Sequence, residues 1–393
     1  RPHTCVAGYN NIRFDDEFTR NTLYRNFYNA YSHEWQHGNS RWDIIDMVRL
    51  TRALRPDGIE WPFDDKGNPS NRLELLTKVN NISHEAAHDA MSDVYATIAV
   101  ARLIREKQPR LYDYVYTHRK KDAVAKLLNL RTHEPVLHVS SRYSMEKNSI
   151  AMVMPVCQHP VNKNGVIVYD LSIEPDQFIM SDVDEIAGSI FTPASELPEN
   201  VSRIPLKTVH LNKCPVIVPL KTMDEDTAER LNINVSRNQQ HRDALLKHID
   251  SLEQKTRQVF SQQDFPAVTD PDAQLYSGGY FSNSDYSRMQ RIQQSTPDEL
   301  AKLELNFDDD RIPEMLFRYR ARNFPETLSS DERRQWDEYR RQKFTDPAYG
   351  IRTLNQVKVS IEELRMAPDT TGSQLAVLDE LENYLSQPDL PTR

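Results

Sequence analysis

Long apolar runs are missing from this chain. None of its stretches approaches the roughly 18 consecutive apolar residues that a membrane-spanning helix needs, and it contains no secretory pattern of basic and apolar segments. Cysteine is scarce: Cys5, Cys157 and Cys214 lie far apart and form no CxxC pair. A disulfide framework is therefore not expected. The expected location is the reducing cytoplasm, without membrane association.

Net positive charge is also missing. The 393 residues include 49 Lys and Arg against 58 Asp and Glu, which gives a net charge of −9. This balance excludes an indiscriminate nucleic-acid coat protein, which needs cations over its whole surface. It does not exclude an enzyme that acts on DNA, because binding depends on where basic residues cluster and because metal-binding carboxylates add negative charge.

The length predicts two or three domains, each with its own core. Strand and helix signals alternate over residues 1–108, which indicates an α/β domain. Helices are predicted at 16–28, 42–54, 73–79 and 89–107, and a short buried strand at 4–9. Because the chain begins with Arg1 just before a strand of interior type, we expect a fragment that lacks the N-terminal part of this domain.

A different pattern follows residue 108. Short apolar runs between turns rich in Pro, Asn and Lys predict a small β-barrel with helical insertions over 109–265. Strands are predicted at 136–139, 149–157, 165–171, 208–211 and 215–218, and a short helix at 122–128. Proline-bearing breaks near 266 mark the start of an all-α domain over 266–393.

Candidate catalytic residues are concentrated in two short motifs of the first domain. One is the asparagine-led frame NNIRFD, which ends at Asp15, and the other is the run HDAMSD from His88 to Asp93. Phosphodiester hydrolysis needs an activated water and neutralised phosphoryl oxygens, which two divalent ions about 4 Å apart supply. Hard Mg²⁺ prefers carboxylate oxygens, so Asp15 and Asp93 are candidate ligands. A neutral His88 is the candidate general base.

The spacing of His88 and Asp93 makes a structural prediction. Five helical steps of ~100° would place the two side chains ~140° apart. They can therefore meet at one metal site only if His88 lies on the loop or first turn that enters the helix. Residues 15–17 also spell an Asp-x-Glu pattern, but they open a helix, whereas the metal-binding Asp-x-Glu motif ends a buried strand. We interpret Asp16 and Glu17 as first-turn charges favoured by the helix dipole.

A competing motif overlaps the same histidine. The run HEAAH from His84 to His88 is a formal HExxH, which on a helix places two histidines one turn apart for Zn²⁺, with the glutamate as base. The extended form of that motif is absent, since Met91 and Val94 occupy its glycine and last histidine positions. A zinc metallopeptidase is therefore the weaker alternative.

The two carboxylate motifs resemble the third and second motifs of the DEDDh exonucleases. Longer segments across nearly the whole chain are similar to bacterial exonuclease I. These segments are GYNNIRFDDEFTRN, YRNFY, NSRWDIID, ALRPDGIEWP, RLELLTKVN, AHDAMSDVYATIA, HLNKCPV, DAQLYSGGYFS and YRARNFPETL. The resemblance implies an α/β ribonuclease H-like exonuclease domain, incomplete at its N-terminus, then an SH3-like β-barrel domain with helical insertions and an all-α C-terminal domain.

The resemblance also implies an activity. It is a processive, Mg²⁺-dependent degradation of single-stranded DNA from the 3′ end to 5′-mononucleotides, used in DNA repair and recombination. Asp15, His88 and Asp93 then correspond to family motif positions. The first family motif, an Asp-x-Glu, is expected upstream of Arg1, so the two-metal site of this chain alone is expected to be incomplete. The implied partners of a monomeric enzyme are single-stranded DNA and a single-stranded-DNA-binding protein.

Non-specific strand binding uses cations for the backbone and aromatic faces for the bases. Trp35 and Tyr31 are the best stacking candidates, although an i,i+4 core pair is the competing interpretation. Arg72 is the candidate for a phosphate near the scissile bond. The other candidate DNA-binding residues are Arg20, Arg49, Tyr114, Lys121, Asn164 and Lys207. For the arginines, solvated helix surface is the competing interpretation.

Two other functions are consistent with the sequence. A non-catalytic module would hold single-stranded DNA between barrel and helical domain without cleaving it. A full Asp-x-Glu upstream in the parent gene favours the enzyme, whereas a start codon near Arg1 favours the module. An exonuclease of the same superfamily that acts on short RNA is disfavoured, because such enzymes lack a long extension of barrel and helices.

Overall fold

The structure is a computed structural model, and it describes residues 1–84, 89–193, 195–197, 203–262, 267–349 and 351–386. The chain divides into two units. Unit 1 contains residues 1–18 and 31–265, and unit 2 contains residues 19–30 and 266–393. None of the described helices combines the length and the apolar character needed to cross a membrane.

Unit 1 begins with a two-stranded parallel sheet and the helices around it. β1 (Cys5–Gly8) pairs with β2 (Ser40–Asp43). The helices are α1 (Asp15–Arg25), α2 (Ser32–Trp35), α3 (Ile44–Leu54), α4 (Leu73–Val79), α5 (Ala90–Lys107), α6 (Pro109–Thr117) and α7 (Lys121–Ala125). The second half of α1 belongs to unit 2.

The starts of these helices follow local sequence signals. α3 begins after Asp43, whose side chain accepts a hydrogen bond from the Ile45 amide. α5 begins after Asp89, which caps the Ser92 amide in the same way. α6 begins at Pro109, which lacks an amide proton and suits a first helical position. The sequence predicts no helix there, because Pro109 also fits the end of the preceding helix.

Two expectations for this region are wrong. The N-terminal strand is not buried, since Val6 is 48% exposed. Trp42 and Asp43 lie in β2 rather than in a helix, because parallel pairing with β1 occupies them. The helices predicted at 73–79 and 89–107 are confirmed to within one residue.

The rest of unit 1 is built on a five-stranded sheet in which all neighbours are antiparallel. Its strands are β3 (Val136–Val139), β4 (Ile150–Gln158), β5 (Gly165–Asp170), β6 (Leu206–His210) and β7 (Ile217–Pro219), in the spatial order β6-β5-β4-β3-β7. Alternate side chains face opposite sides of the sheet. Val153 and Val168 belong to one hydrophobic cluster, whereas Met152 and Ile167 belong to another. The strands predicted for the barrel are confirmed to within two residues at each end.

The larger of these clusters continues from the α/β region into the barrel region. It includes Trp42 and Met47 from the former and Leu137 and Tyr169 from the latter. This shared core explains why both regions fall in one unit. The domain boundary between 108 and 109 stays a prediction. The remaining helices of unit 1 are α8 (Asp176–Met180), α9 (Val183–Phe191), α10 (Glu225–Arg230), α11 (Val235–Leu246) and α12 (Ile249–Ser261).

The described residues of unit 2 form helices joined by turns and loops, with no strand among them. After residue 266 its helices are α13 (Asn283–Gln294), α14 (Pro297–Leu300), α15 (Arg311–Asn323), α16 (Ser330–Thr345), α17 (Leu354–Met366) and α18 (Gly372–Leu385). The second half of α1 packs among them, with the ring centroids of Phe27 and Tyr319 5.4 Å apart. An all-α C-terminal region is therefore confirmed. It also includes residues 19–30, which the sequence places in the first domain.

Candidate active site

The loop that leads to Asp15 is fixed by the buried carboxylate of Asp43. It accepts hydrogen bonds from the amides of Asn10 at 2.8 Å and Ile12 at 3.3 Å. A third bond, from the Ile45 amide at 3.1 Å, caps α3. Burial, reinforced by the negative charge of Asp46, raises the pKa of Asp43 to about 6. The loop is thus tied to the end of β2 by one shared side chain.

Asp15 and Asp16 have different surroundings, although they are neighbours in sequence. Asp15 is the first residue of α1 and is exposed. Asp16 is buried and forms an ion pair with Arg41, which also pairs with Glu34 at 3.0 Å. Asp16 is therefore more than a helix-dipole charge, which corrects the sequence interpretation. Of the two, Asp15 is the carboxylate that a ligand can reach.

Asp93 lies in the first turn of α5, and its side chain is 42% exposed. Its Oδ1 is 2.7 Å from Nε2 of His84, whose side chain is only 4% exposed. The other ring nitrogen of His84, Nδ1, lies 3.2 Å from the hydroxyl of Thr77. A histidine therefore contacts the predicted ligand, but it is His84. The prediction for His88 falls on a residue outside the described part of the chain.

The geometry at His84 contradicts the metallopeptidase alternative. That alternative requires His84 on a helix with a ring nitrogen directed at zinc. His84 lies before α5, which begins at Ala90, and its Nε2 is bonded to Asp93.

The donor chemistry of the two aspartates fits a hard divalent cation. Asp15 and Asp93 offer carboxylate oxygens and are at least partly exposed. Among the residues that the structure describes, no group of three or more His, Cys, Asp or Glu is placed to hold a metal ion. The two aspartates would therefore supply part of a ligand set.

Three of the predicted DNA-binding side chains face solvent. Trp35, at the end of α2, is 64% exposed, so the core-pair interpretation does not apply to it. The Arg72 side chain is 68% exposed and forms an ion pair with Glu74. Lys121 is exposed at the start of α7. Tyr31, which precedes α2, is partly buried.

Two of the predicted arginines lie in the interior instead. Arg20 is 3% exposed, and its guanidinium donates a hydrogen bond to the Tyr276 hydroxyl within unit 2. Arg49 is buried in α3 and pairs with Asp46 at 2.5 Å. Both side chains have partners inside the protein. Contact of Arg20 and Arg49 with DNA stays a prediction. The burial of both side chains argues against it.

Tyr114 and Asn164 belong to the barrel region. The hydroxyl of Tyr114 donates to the carbonyl of Ile217 at 3.2 Å, and its ring stacks on His118 with centroids 4.0 Å apart. Asn164 lies on the turn before β5, where its backbone N–H donates to Oδ1 of Asn162 at 2.9 Å. Both residues have local structural partners, and their contact with DNA stays a prediction.

Lys207 lies on β6 with its ammonium group buried. Its Nζ is 4.3 Å from the ring centroid of Tyr143 and has no hydrogen-bond partner among the described residues. Burial is the main reason why the pKa of Lys207 is lowered to about 7. A buried, weakly basic amine is a poor phosphate anchor as it stands, so this contact also stays a prediction.

Accessible carboxylates beside a small α/β sheet, followed by a barrel and a helical unit, suit an exonuclease. A family model described as "Exonuclease" matches residues 1–101. The exonuclease class thus accounts for the region that holds Asp15 and Asp93. Models described as the exonuclease I SH3-like domain and the exonuclease I C-terminal domain match residues 119–262 and 269–388.

Known proteins narrow this class to one family. Exodeoxyribonuclease I of Escherichia coli is 44% identical over 348 residues, which cover 88% of this chain and 72% of that protein. Exonuclease I from Methylocaldum szegediense has a structure similar at TM-score 0.91 and 49% identity, covering 98% of this chain and 80% of that one. The chain belongs to the exonuclease I family of nucleases, which are hydrolases that depend on divalent metal.

Solved structures of the E. coli relative contain ligands. One holds a dA16 oligonucleotide, and it matches at TM-score 0.90 and 41% identity over 98% of this chain and 81% of that one. Another, at 40% identity, holds a zinc ion and single-stranded DNA. A further solved structure of an exonuclease I, also at 40% identity, contains SSB and an inhibitor.

Sequence reasoning missed Asp43, Arg41 and His84 as parts of this site. Asp43 has a detectable signal, since an aspartate before the apolar run of α3 is typical of a helix N-cap. Arg41 contacts Asp16 and Asn212, which are distant from it in sequence, and no local sequence pattern predicts such contacts. His84 is visible in the sequence only as the first histidine of HExxH, which points to the wrong chemistry.

Proposed function

We propose that this chain degrades single-stranded DNA from its 3′ end and releases 5′-mononucleotides by Mg²⁺-dependent hydrolysis. The observation that carries the proposal is the match of all three regions to exonuclease I. The accessible carboxylates of Asp15 and Asp93 at the motif positions support it. The relative solved with an oligonucleotide supports DNA as the substrate.

Metal binding and proton transfer are assigned to different residues of the chain. Asp15 and Asp93 would hold Mg²⁺, and His88 takes the proton from the attacking water. Bound Mg²⁺ would polarise that water and neutralise charge on the phosphoryl oxygens. Asp43 contributes indirectly, because it fixes the loop that presents Asp15.

Strand binding is proposed for the exposed side chains. Trp35 offers a flat apolar face for a base, and Arg72 and Lys121 offer cations for phosphates. The rest of the proposed set consists of residues that are less exposed: Tyr31, Arg20, Arg49, Tyr114, Asn164 and Lys207. SSB is the proposed protein partner, because a solved relative contains it.

The test follows mononucleotide release from single-stranded DNA labelled at the 3′ or the 5′ end, with Mg²⁺, with Zn²⁺ and with chelator. We expect early release of the 3′ label only, in Mg²⁺. We expect His88→Ala to lower turnover by about 10²–10⁴-fold, while strand affinity stays nearly unchanged. An equal loss of affinity and rate would remove His88 from the proton-transfer role. Strand binding without cleavage under any metal would favour the non-catalytic binding module.

A further inference from the structure

The contact between His84 and Asp93 is enclosed on its histidine side. The His84 side chain is 4% exposed and lies between Asp93 and the fully buried Thr77. Nε2 lies 2.7 Å from Asp93 Oδ1, and Nδ1 lies 3.2 Å from the hydroxyl oxygen of Thr77, which itself donates to the carbonyl of Leu73 at 2.9 Å. Thr77 belongs to α4 and Asp93 to α5, so the histidine links the carboxylate to a second helix.

We propose that His84 is a positioning residue that orients the Asp93 carboxylate for its divalent metal. The proposal rests on the proposed function, because it takes Asp93 as a metal ligand. A ligating carboxylate gains a fixed direction when a second protein group bonds to it, and removing such a group typically costs about 10–100-fold in metal affinity or activity. Thr77 then acts one step further out, because it contacts the opposite nitrogen of the ring and helps to fix the ring orientation.

Helix capping does not account for this contact. The start of α5 is already capped by Asp89, whose carboxylate accepts a hydrogen bond from the Ser92 amide at 3.0 Å. Asp93 instead receives its bond from a side chain outside the helix. Arginine or lysine at the same place would compete with the metal.

Two substitutions of His84 separate the hydrogen bond from packing. His84→Gln keeps an N–H donor near the position of Nε2, whereas His84→Met keeps a similar volume without a donor. Mg²⁺ and Mn²⁺ binding is measured by calorimetry without DNA, together with the metal concentration that gives half-maximal cleavage. Strand affinity in chelator and the thermal midpoint report on folding.

We expect His84→Met to weaken metal binding about 10–100-fold, and His84→Gln to recover most of that loss. Strand affinity in chelator should stay unchanged in both. Thr77→Val should produce a smaller weakening in the same direction. Equal metal affinity in the wild type and in His84→Met would overturn the proposal, as would equal losses in the Met and Gln variants.

Asp93→Asn tests the role of Asp93 as a metal ligand separately from the role of His84. If Asp93→Asn leaves metal binding intact, Asp93 is not a ligand, and its part in the proposed function fails. If Asp93→Asn abolishes metal binding while His84→Met does not weaken it, only the role of His84 fails.

Discussion

Asp16 and Arg41 form a buried ion pair directly beside the exposed Asp15, so one step along α1 separates a structural carboxylate from a candidate metal ligand. Arg41 also donates to the carbonyl of Asn212 at 2.6 Å and pairs with Glu34. One guanidinium therefore neutralises two buried carboxylates and reaches a loop of the barrel region.

Removing this guanidinium should destabilise the fold strongly. Arg41→Met preserves most of the volume but leaves Asp16 and Glu34 buried without a cation, for which the expected cost is about 3–5 kcal/mol. Chemical denaturation measures the free energy of unfolding. The control is Arg334→Met, since Arg334 is 79% exposed in its pair with Asp331 and should contribute about 0–1 kcal/mol. Similar small losses in both variants would mean that the Arg41 pairs do not stabilise the fold.

Trp35 should contribute to strand affinity without contributing to stability. Its side chain is 64% exposed, and loss of one base stack costs about 1–3 kcal/mol. Trp35→Ala should therefore weaken single-stranded DNA binding, measured in chelator to prevent cleavage. Trp35→Phe is the matched control and should retain most of the affinity. A Trp35→Ala protein that binds DNA normally, or that unfolds at a lower temperature, would contradict a stacking role.

Arg72 should report its phosphate contact through salt dependence. Each phosphate neutralised on a single strand contributes about 0.7 to the slope of log affinity against log salt. Arg72→Ala should reduce that slope by about 0.7 relative to the wild type. Arg334→Ala is again a suitable control, because it also removes an exposed arginine that has an acidic partner. Identical slopes for the wild type and Arg72→Ala would place Arg72 away from the DNA backbone.

Lys207 should make stability depend on pH. Its pKa is lowered from 10.5 to about 7, mainly by burial. Between those values the unfolded chain binds one more proton than the folded protein, so stability rises with pH, by at most about 1.4 kcal/mol per pH unit. Below the folded pKa this contribution is constant. Unfolding free energies at about pH 7.5 and 9 should show a smaller rise for Lys207→Met than for the wild type. An identical rise in both proteins would show that Lys207 keeps an ordinary pKa.

Much of the fold follows from the sequence, and the failures have physical causes. The barrel strands are predictable because short apolar runs stand between turns rich in Pro, Asn and Lys. The second half of β2 is predicted as helix, because Trp42 extends the apolar pattern of α3 and only pairing with the distant β1 reveals a strand. α6 is missed because Pro109 suits both the end of one helix and the start of the next.

The candidate site is predictable only in part. Asp15 and Asp93 stand in recognisable motifs, so sequence alone selects them. The residues that support them cannot be predicted from a local motif, because Asp43 and His84 form hydrogen bonds to residues 33 and 9 positions away in the sequence. Exposure is also invisible in the sequence. It separates Trp35 and Arg72, which face solvent, from Arg20, which does not.

In the proposed function, Asp93 holds the catalytic metal. The most direct measurement of this role is the rate of 5′-mononucleotide release from a 3′-labelled single strand in saturating Mg²⁺, for the wild type, Asp93→Asn and Glu106→Gln. Glu106 lies on the same helix with a side chain 72% exposed, so Glu106→Gln controls for loss of one negative charge. We predict that Asp93→Asn loses several kcal/mol of transition-state stabilisation, about a thousandfold or more in rate, while Glu106→Gln cleaves normally. Cleavage by Asp93→Asn at the rate of Glu106→Gln would contradict the account.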